Sequence, residues 1–277
     1  MNASDRSVKQ KENRMARIDK TRRYEMPVIY GPSDIPDITI MKSFKSASLR
    51  FLTERDAVAA FLPEELRVPE FPVISVTWSG YREVDYLGGR GYNVVRVAAQ
   101  VTYQSGNTLL NGTFPFVIWE SDCNPIILGR EISGYPKLFG RIPDLKEGPN
   151  DCSFECFEYE TRLLLVELND LQPVVGDELS KIRAQGRPST IFCWKYIPGV
   201  GGTVDADYLV KATSNFDIAF AAQGQGRVDL LAPTWQQAPF GHRILNALKA
   251  FPILRYAPAI VTAGSVEFGR TLSERIT

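Results

Sequence analysis

From about residue 72 onward, apolar and polar positions alternate in short runs rich in β-branched and aromatic residues, the pattern of half-buried strands. The runs are Val73 to Tyr86, Tyr92 to Tyr103, Thr108 to Trp119, Cys152 to Tyr159, Arg162 to Leu168, Thr190 to Tyr196, Tyr208 to Phe220 and Ile260 to Phe268. Turn-forming residues separate them, including Gly88-Gly89-Arg90-Gly91 and Ser105-Gly106-Asn107. Helical signals are confined to two places. Thr53-Glu54-Arg55-Asp56 ahead of Ala57 to Phe61 predicts a short helix capped by Thr53, with acids in its first turn and Pro63 ending it. A second helix is predicted from about Phe240 to Ala250. Many strands with few helices between them predict a mainly β (α+β) chain built on antiparallel sheets, closed or stacked, rather than a doubly wound parallel sheet.

Residues 1 to about 25 break this pattern: they are polar, rich in lysine and arginine and poor in large apolar side chains, so a disordered charged tail is expected there, with residues 26–277 as a single domain. Pro27, Pro32 and Pro36 mark an extended segment after it. Of Gly199-Val200-Gly201-Gly202 and Gly224-Gln225-Gly226, the first lacks the Gly-Lys-Ser/Thr ending of a phosphate loop and neither follows the strand-to-helix order of a dinucleotide site, and both read as turns. There is no internal repeat and no apolar run long enough to span a bilayer, so a soluble protein without membrane partners is expected.

Charge and composition narrow the chemistry. Thirty-two lysines and arginines balance thirty-two aspartates and glutamates, which leaves no global field to draw the chain to nucleic acid; small molecules or further copies of itself are the expected partners. The four cysteines, Cys123, Cys152, Cys156 and Cys193, are too scattered for a disulfide scaffold, and no cleavable apolar leader precedes them, which points to a reduced, cytoplasmic protein. Cys152 and Cys156, four apart in a strand, share a face as small apolar fillers. A single histidine, His242, rules out histidine-based zinc or iron clusters, and no Gly-x-Ser-x-Gly elbow accompanies it, so it reads as a cap or packing residue. Neither a metal nor a cofactor is expected.

The chemical candidate is the run Gly129-Arg130-Glu131-Ile132-Ser133-Gly134-Tyr135-Pro136-Lys137. Pro125 to Leu128 lie before it and Leu138-Phe139 after it, and an ammonium in such apolar company would lose hydration and release its proton more readily, leaving an amine able to attack a carbonyl. On residue chemistry alone, a surface lysine after a Tyr-Pro turn stands as the other reading.

This run resembles the active-site segment of the acetoacetate decarboxylase superfamily, whose members share Gly-Arg-Glu, two or three variable residues and then Tyr-Pro-Lys. The helix Thr53 to Phe61 with Leu62-Pro63-Glu64-Glu65-Leu66, and Gly226-Arg227-Val228-Asp229-Leu230 through Pro233, are similar to further elements of that family, so the likeness covers about residues 38 to 270. The resemblance implies an antiparallel double-sheet, cone-like β-barrel with a few short helices, usually a homo-oligomer. It also implies that Lys137 forms a Schiff base with a keto acid.

Three departures accompany the match. The family's second lysine is replaced by Leu138, its glutamate two residues after a strand tyrosine by Val94, and its supporting arginine falls nearest Phe44. Arg96, two residues beyond Val94, would share its face and can hold a substrate carboxylate, or it points outward. Glu131 is a candidate proton-transfer group alongside Lys137, or the partner of Arg130 in a structural salt bridge. Tyr135 offers a phenolic hydrogen bond or packing against the wall, and Glu267, on one face with Ser265, serves as acid or base only if that face looks inward. Arg130, Leu138 and Val94 complete the residues expected around the substrate. Trp78, Phe114, Phe116, Ile118 and Trp119 suit an apolar cavity and a plain core equally. The expected function is a Schiff-base-forming carbon–carbon lyase acting on a keto acid, by decarboxylation or by aldol or dehydratase-type chemistry. The alternative is a catalytically silent barrel that binds a small carbonyl or apolar ligand.

Overall fold

The computed structural model describes residues 18–277. Most of the predicted tail, residues 1 to about 25, lies outside the described residues. The chain divides at Pro36. The described part before that point holds a single turn of 3-10 helix, Val28–Tyr30, and an Arg23 guanidinium that donates to the Ile35 carbonyl at 2.6 Å.

From Asp37 onward the chain is dominated by strands. In chain order they are β1 (Ile38–Leu52), helix α1 (Arg55–Ala59), β2 (Leu66–Arg67), β3 (Val73–Val84), β4 (Tyr92–Ser105) and β5 (Thr108–Glu120). Helix α2 (Cys123–Leu128) then runs into one π-helical turn, Gly129–Ser133, followed by β6 (Lys137–Phe139), β7 (Lys146–Glu147), β8 (Cys152–Glu158) and β9 (Thr161–Pro173). Helix α3 (Gly176–Gln185), β10 (Ser189–Pro198), β11 (Val204–Leu230), helix α4 (Gly241–Lys249) and β12 (Arg255–Arg275) complete the chain. The twelve strands of the described residues form one sheet: ten in the order β10-β5-β4-β3-β1-β12-β11-β9-β8-β7, with β2 paired to β4 and β6 to β5, and a further β10–β11 pairing closes the first seven into a ring. Pairing is antiparallel except where β5 meets β6 and β10. The mainly antiparallel β architecture read from the sequence is therefore the one observed, and no helix among the described residues is long and apolar enough to cross a membrane.

Four local expectations need correction. Strand β1 is absent from the periodicity reading because bulges between Met41 and Phe44 and between Ser48 and Arg50 break its alternation. Gly224-Gln225-Gly226 is not a turn but the interior of β11. A Cβ on Gly224 would meet the Asn169 carbonyl oxygen at 2.3 Å and one on Gly226 the Glu167 oxygen at 2.7 Å, so glycine is what lets β9 approach. Thr53 does not cap α1. It prolongs the inward face of β1 after Leu49 and Phe51, fully buried, and Glu54 occupies the cap position without a side-chain bond. Helices α2 and α3 escaped the reading because α2 spans only six residues and α3 buries Ile182 alone.

Helix α4 matches its prediction closely, and its first turn is capped from a distance. The buried carboxylate of Glu158 accepts from the Phe240 and Gly241 amides at 3.0 and 2.6 Å. His242 Nδ1 lies 3.1 Å from the Pro239 carbonyl oxygen at the same corner.

Two apolar clusters occupy opposite faces of β3, β4 and β5. Val76, Trp78, Val95, Val97, Val117 and Trp119 belong to the first, which also takes Leu245 and Leu248 from α4. Tyr81, Val84, Tyr92, Val94 and Ile118 belong to the second, with Met41, Phe44 and Ile182 of α3. The period-two alternation of the strands sorts the residues between the two.

Candidate active site

Lys137 opens β6, and the preceding turn aims it. The π-helical turn ends on Gly134, whose positive φ of 70° suits glycine. A Cβ there would also collide with Lys195 at 2.4 Å. Pro136 accepts from the Ile118 amide at 3.0 Å, which seats the short strand beside β5 with Lys137 opposite Ile118. Register partners share a face, so Lys137 projects to the side of Ile118, toward the second cluster. Arg130 Nη1 donates to the Lys137 carbonyl oxygen at 2.8 Å and ties the strand back to the turn. Gly129 leaves the channel for the lysine stem: a Cβ there would stand 2.6 Å from both Cε and Nζ of Lys137.

The amine is held on three sides. Its Nζ lies 3.0 Å from Glu120 Oε1, donates to the Pro125 carbonyl at 2.9 Å and sits 5.2 Å from the centre of the Tyr135 ring. Both members of the ion pair are removed from solvent, with side-chain exposures of 12% for Lys137 and 4% for Glu120. Burial pushes the Glu120 carboxyl above its ordinary range, and the ammonium offsets part of that rise. Its second oxygen, Oε2, is buried and takes no hydrogen bond among the described residues. This carboxylate stands directly across the ladder from Val94. An acid thus faces Val94 from the neighbouring strand.

Arg96 lies on the same face. It pairs with Ile118, which pairs with Lys137, so the three form one row across β4, β5 and β6, and two strand spacings of about 10 Å separate arginine from lysine. The charge of Arg96 acts on Tyr81, Tyr135 and Cys193, easing the upward push that burial exerts on each. Tyr135 packs with the second cluster, and Val94 is buried in it. Four phenols, those of Tyr81, Tyr86, Tyr92 and Tyr135, are raised chiefly by burial and further by the Glu120 charge.

Two of the other predicted residues, Leu138 and Glu267, face away from the amine. Leu138 faces the opposite way from Lys137 and packs on the first cluster, because successive strand residues alternate. Glu267 follows the buried Val266 on β12 and is exposed for the same reason. Glu131 sits half-buried on the π-helical turn and makes no ion pair among the described residues, while Arg130, its expected partner, is engaged with the Lys137 backbone. Phe44 is buried against Phe216, ring centres 5.2 Å apart.

Sequence reading missed Glu120 and Cys193. Glu120 was detectable as the only acid in the run from Thr108, immediately after Trp119, but nothing in the order of residues places it opposite Val94. Cys193 is fully buried between Phe192 and Trp194, and only the folded sheet brings it beside Lys137 and Arg96, whose charges act on its thiol. Among the described residues no group of histidine, cysteine, aspartate and glutamate could hold a metal ion.

The described strands thus form a ring with a buried lysine–carboxylate pair on one face. The chain matches the acetoacetate decarboxylase family model over residues 25–274, and it belongs to that family. Its fold is similar to that of an acetoacetate decarboxylase (TM-score 0.74, 16% identity, 94% of this chain and 98% of that one). It is also similar to the enduracididine biosynthesis enzyme MppR complexed with pyruvate (TM-score 0.69, 12% identity, 92% and 97% covered). A third likeness is to an acetoacetate decarboxylase-like enzyme from Sphingomonas wittichii RW1 (TM-score 0.65, 18% identity, 92% and 98% covered). Comparison with curated protein sequences found no match.

Proposed function

We propose that the protein is a carbon–carbon lyase that binds a small oxo acid covalently through an imine on Lys137. The observation that carries this reading is the Lys137 Nζ held 3.0 Å from Glu120 Oε1, both out of solvent. An amine attacks a carbonyl only as its free base, and a partner 3.0 Å away can take the proton without passing it to bulk water. The resulting carbinolamine must lose water, and the same carboxyl can return the proton to the departing oxygen. Arg96, in the same row on the same face, would receive the substrate carboxylate by a charge-assisted pair. Family membership and the pyruvate complex of MppR support an oxo acid as the ligand. Leu138 and Val94 remove the second cation and the strand glutamate associated with decarboxylation, which favours aldol or dehydratase-type chemistry on a larger oxo acid.

Borohydride added to the protein with pyruvate or acetoacetate should leave a reduced adduct on Lys137, located by peptide mass spectrometry and absent from Lys137→Met. No adduct with any oxo acid of a panel would defeat the covalent reading in favour of a non-covalent carbonyl binder. Arg96→Met should raise the concentration of oxo acid needed for half-maximal trapping by about tenfold or more, while leaving trapping of a neutral ketone unaffected.

A further inference from the structure

Once an imine forms on Lys137, its nitrogen no longer has hydrogens enough for both of its acceptors. As an ammonium, that nitrogen has three hydrogens and gives one to Glu120 Oε1 at 3.0 Å and one to Pro125 at 2.9 Å. As a protonated imine it keeps one. It can then serve only one of the two acceptors, and Pro125 also receives the Gly129 amide at the end of α2, so its carbonyl is fixed in place. Glu120 is the acceptor that can be released. Its other oxygen, Oε2, is buried and has no hydrogen-bond partner among the described residues, although the side chain is only 4% exposed. An unpartnered carboxylate oxygen in such a place is costly unless something else uses it.

The imine brings carbon to this place. The atom next to the imine carbon is two bonds from Nζ, about 2.5 Å by ordinary covalent lengths. Glu120, with Oε1 3.0 Å from Nζ, is the one carboxylate paired with the amine among the described residues, and so the one set beside the hydrogens on that atom. Opposite Glu120 on the ladder is the apolar Val94, which offers no competing donor.

We infer that Glu120 is the base that removes a proton from the carbon adjacent to the imine, so that the site converts enolisable oxo acids into enamines with their carboxylate retained. This rests on the Lys137 imine proposed above. The step balances: the C–H electron pair becomes the carbon–carbon double bond, the imine π pair moves onto nitrogen and neutralises it, and the proton resides on Glu120. The enamine carbon is then a nucleophile for an aldehyde. In the reverse sense, or after addition, the protonated Glu120 returns its proton to carbon or to a departing hydroxyl. The substrate class is oxo acids with at least one hydrogen on the carbon beside the ketone. By contrast, decarboxylation of a 3-oxo acid forms its enamine by losing carbon dioxide from the carbon beside the imine, and needs no base there to form it.

Pyruvate and 2-oxobutanoate in deuterated buffer, monitored by proton NMR, test this directly. The wild-type protein should wash out the protons beside the ketone, and Glu120→Gln should slow that exchange by about 10²-fold or more, the ordinary worth of a general base. Because Glu120 also takes the Lys137 proton, Glu120→Gln should be trapped on Lys137 by borohydride more slowly than wild type, but its exchange should fall further than its trapping, and an equal fall in both overturns the base assignment. Glu120→Asp, which keeps the charge should the glutamine variant fail to fold, should exchange more slowly than wild type but faster than Glu120→Gln. Wild-type trapping without exchange, or exchange at the wild-type rate in folded Glu120→Gln, overturns the assignment of Glu120 and leaves the imine standing. Absence of trapping in the wild type overturns the imine itself.

Discussion

Replacing Gly129 with alanine separates the chemistry of this site from its stability. The residue has φ −66° and ψ −39°, ordinary right-handed helical values, so the backbone accepts alanine, and helical alanine is favoured over glycine by about 0.5–1 kcal/mol. The added methyl would meet the tip of Lys137 first. Its nearest neighbours are Cε and Nζ of Lys137 at 2.6 Å and Cδ at 2.7 Å, all on the movable end of one side chain. To restore ordinary carbon contacts the lysine tip must retreat by about 1 Å. That is enough to break the contacts with Glu120 at 3.0 Å and Pro125 at 2.9 Å. A displacement of this size at a reacting atom costs roughly 10²-fold in rate. Gly129→Ala should therefore show an unchanged or slightly raised Tm, within about 2–4 °C of the wild type, and a borohydride-trapping rate about a hundredfold lower. Circular dichroism melting and timed trapping with intact-mass detection read the two quantities on one preparation. A trapping rate equal to wild type would refute the view that this glycine keeps the lysine channel open; a large fall in Tm would refute the view that only the lysine yields.

The same geometry sets the outcome of other measurements. Lys137→Met removes the cation that partly offsets the burial of Glu120, so its carboxyl should rise further above the ordinary 4.5. A carboxyl raised by folding contributes stability that is complete below its unfolded value and is lost as pH climbs through the folded one. Urea unfolding of Lys137→Met should thus show stability falling as pH rises above the ordinary carboxylate range, with a limiting slope of about 1.4 kcal/mol per pH unit, steeper than wild type, and equal slopes would count against the coupling. Glu158→Ala strands the Phe240 and Gly241 amides at the start of α4 and should cost about 2 kcal/mol, or roughly 4–8 °C in Tm, without affecting trapping at Lys137. Among the cysteines, Cys123 alone is exposed, burial raises the Cys152 thiol to about 11, and Cys156 and Cys193 are pushed higher still. A disulfide reagent at neutral pH should modify one thiol in the native protein and four in urea; rapid loss of two or more native thiols would contradict the burial.

The residues that repeat with period two announced most of the strands, and α4 announced itself by its apolar face, because both signals are local consequences of one side of an element being buried. Strand β1 escaped through its bulges and α2 through its six-residue length. The lysine was legible for a different reason: Gly134 is a backbone requirement of the turn that delivers it and Gly129 leaves room for its side chain, and such requirements are written in residue type. Its neighbours were not. Whether Glu267 or Leu138 faced the amine turned on strand parity relative to buried residues far away in the chain. Reading along the chain showed Val94 without its acid, yet only the register of β4 against β5 sets Glu120 opposite it. Order along the chain thus determined the nucleophile and the sheet that carries it. The partner that can take its proton was decided by pairing between strands, because the contact joins residues 17 positions apart through the ladder of β5 with β6, whose register is not written in either segment alone.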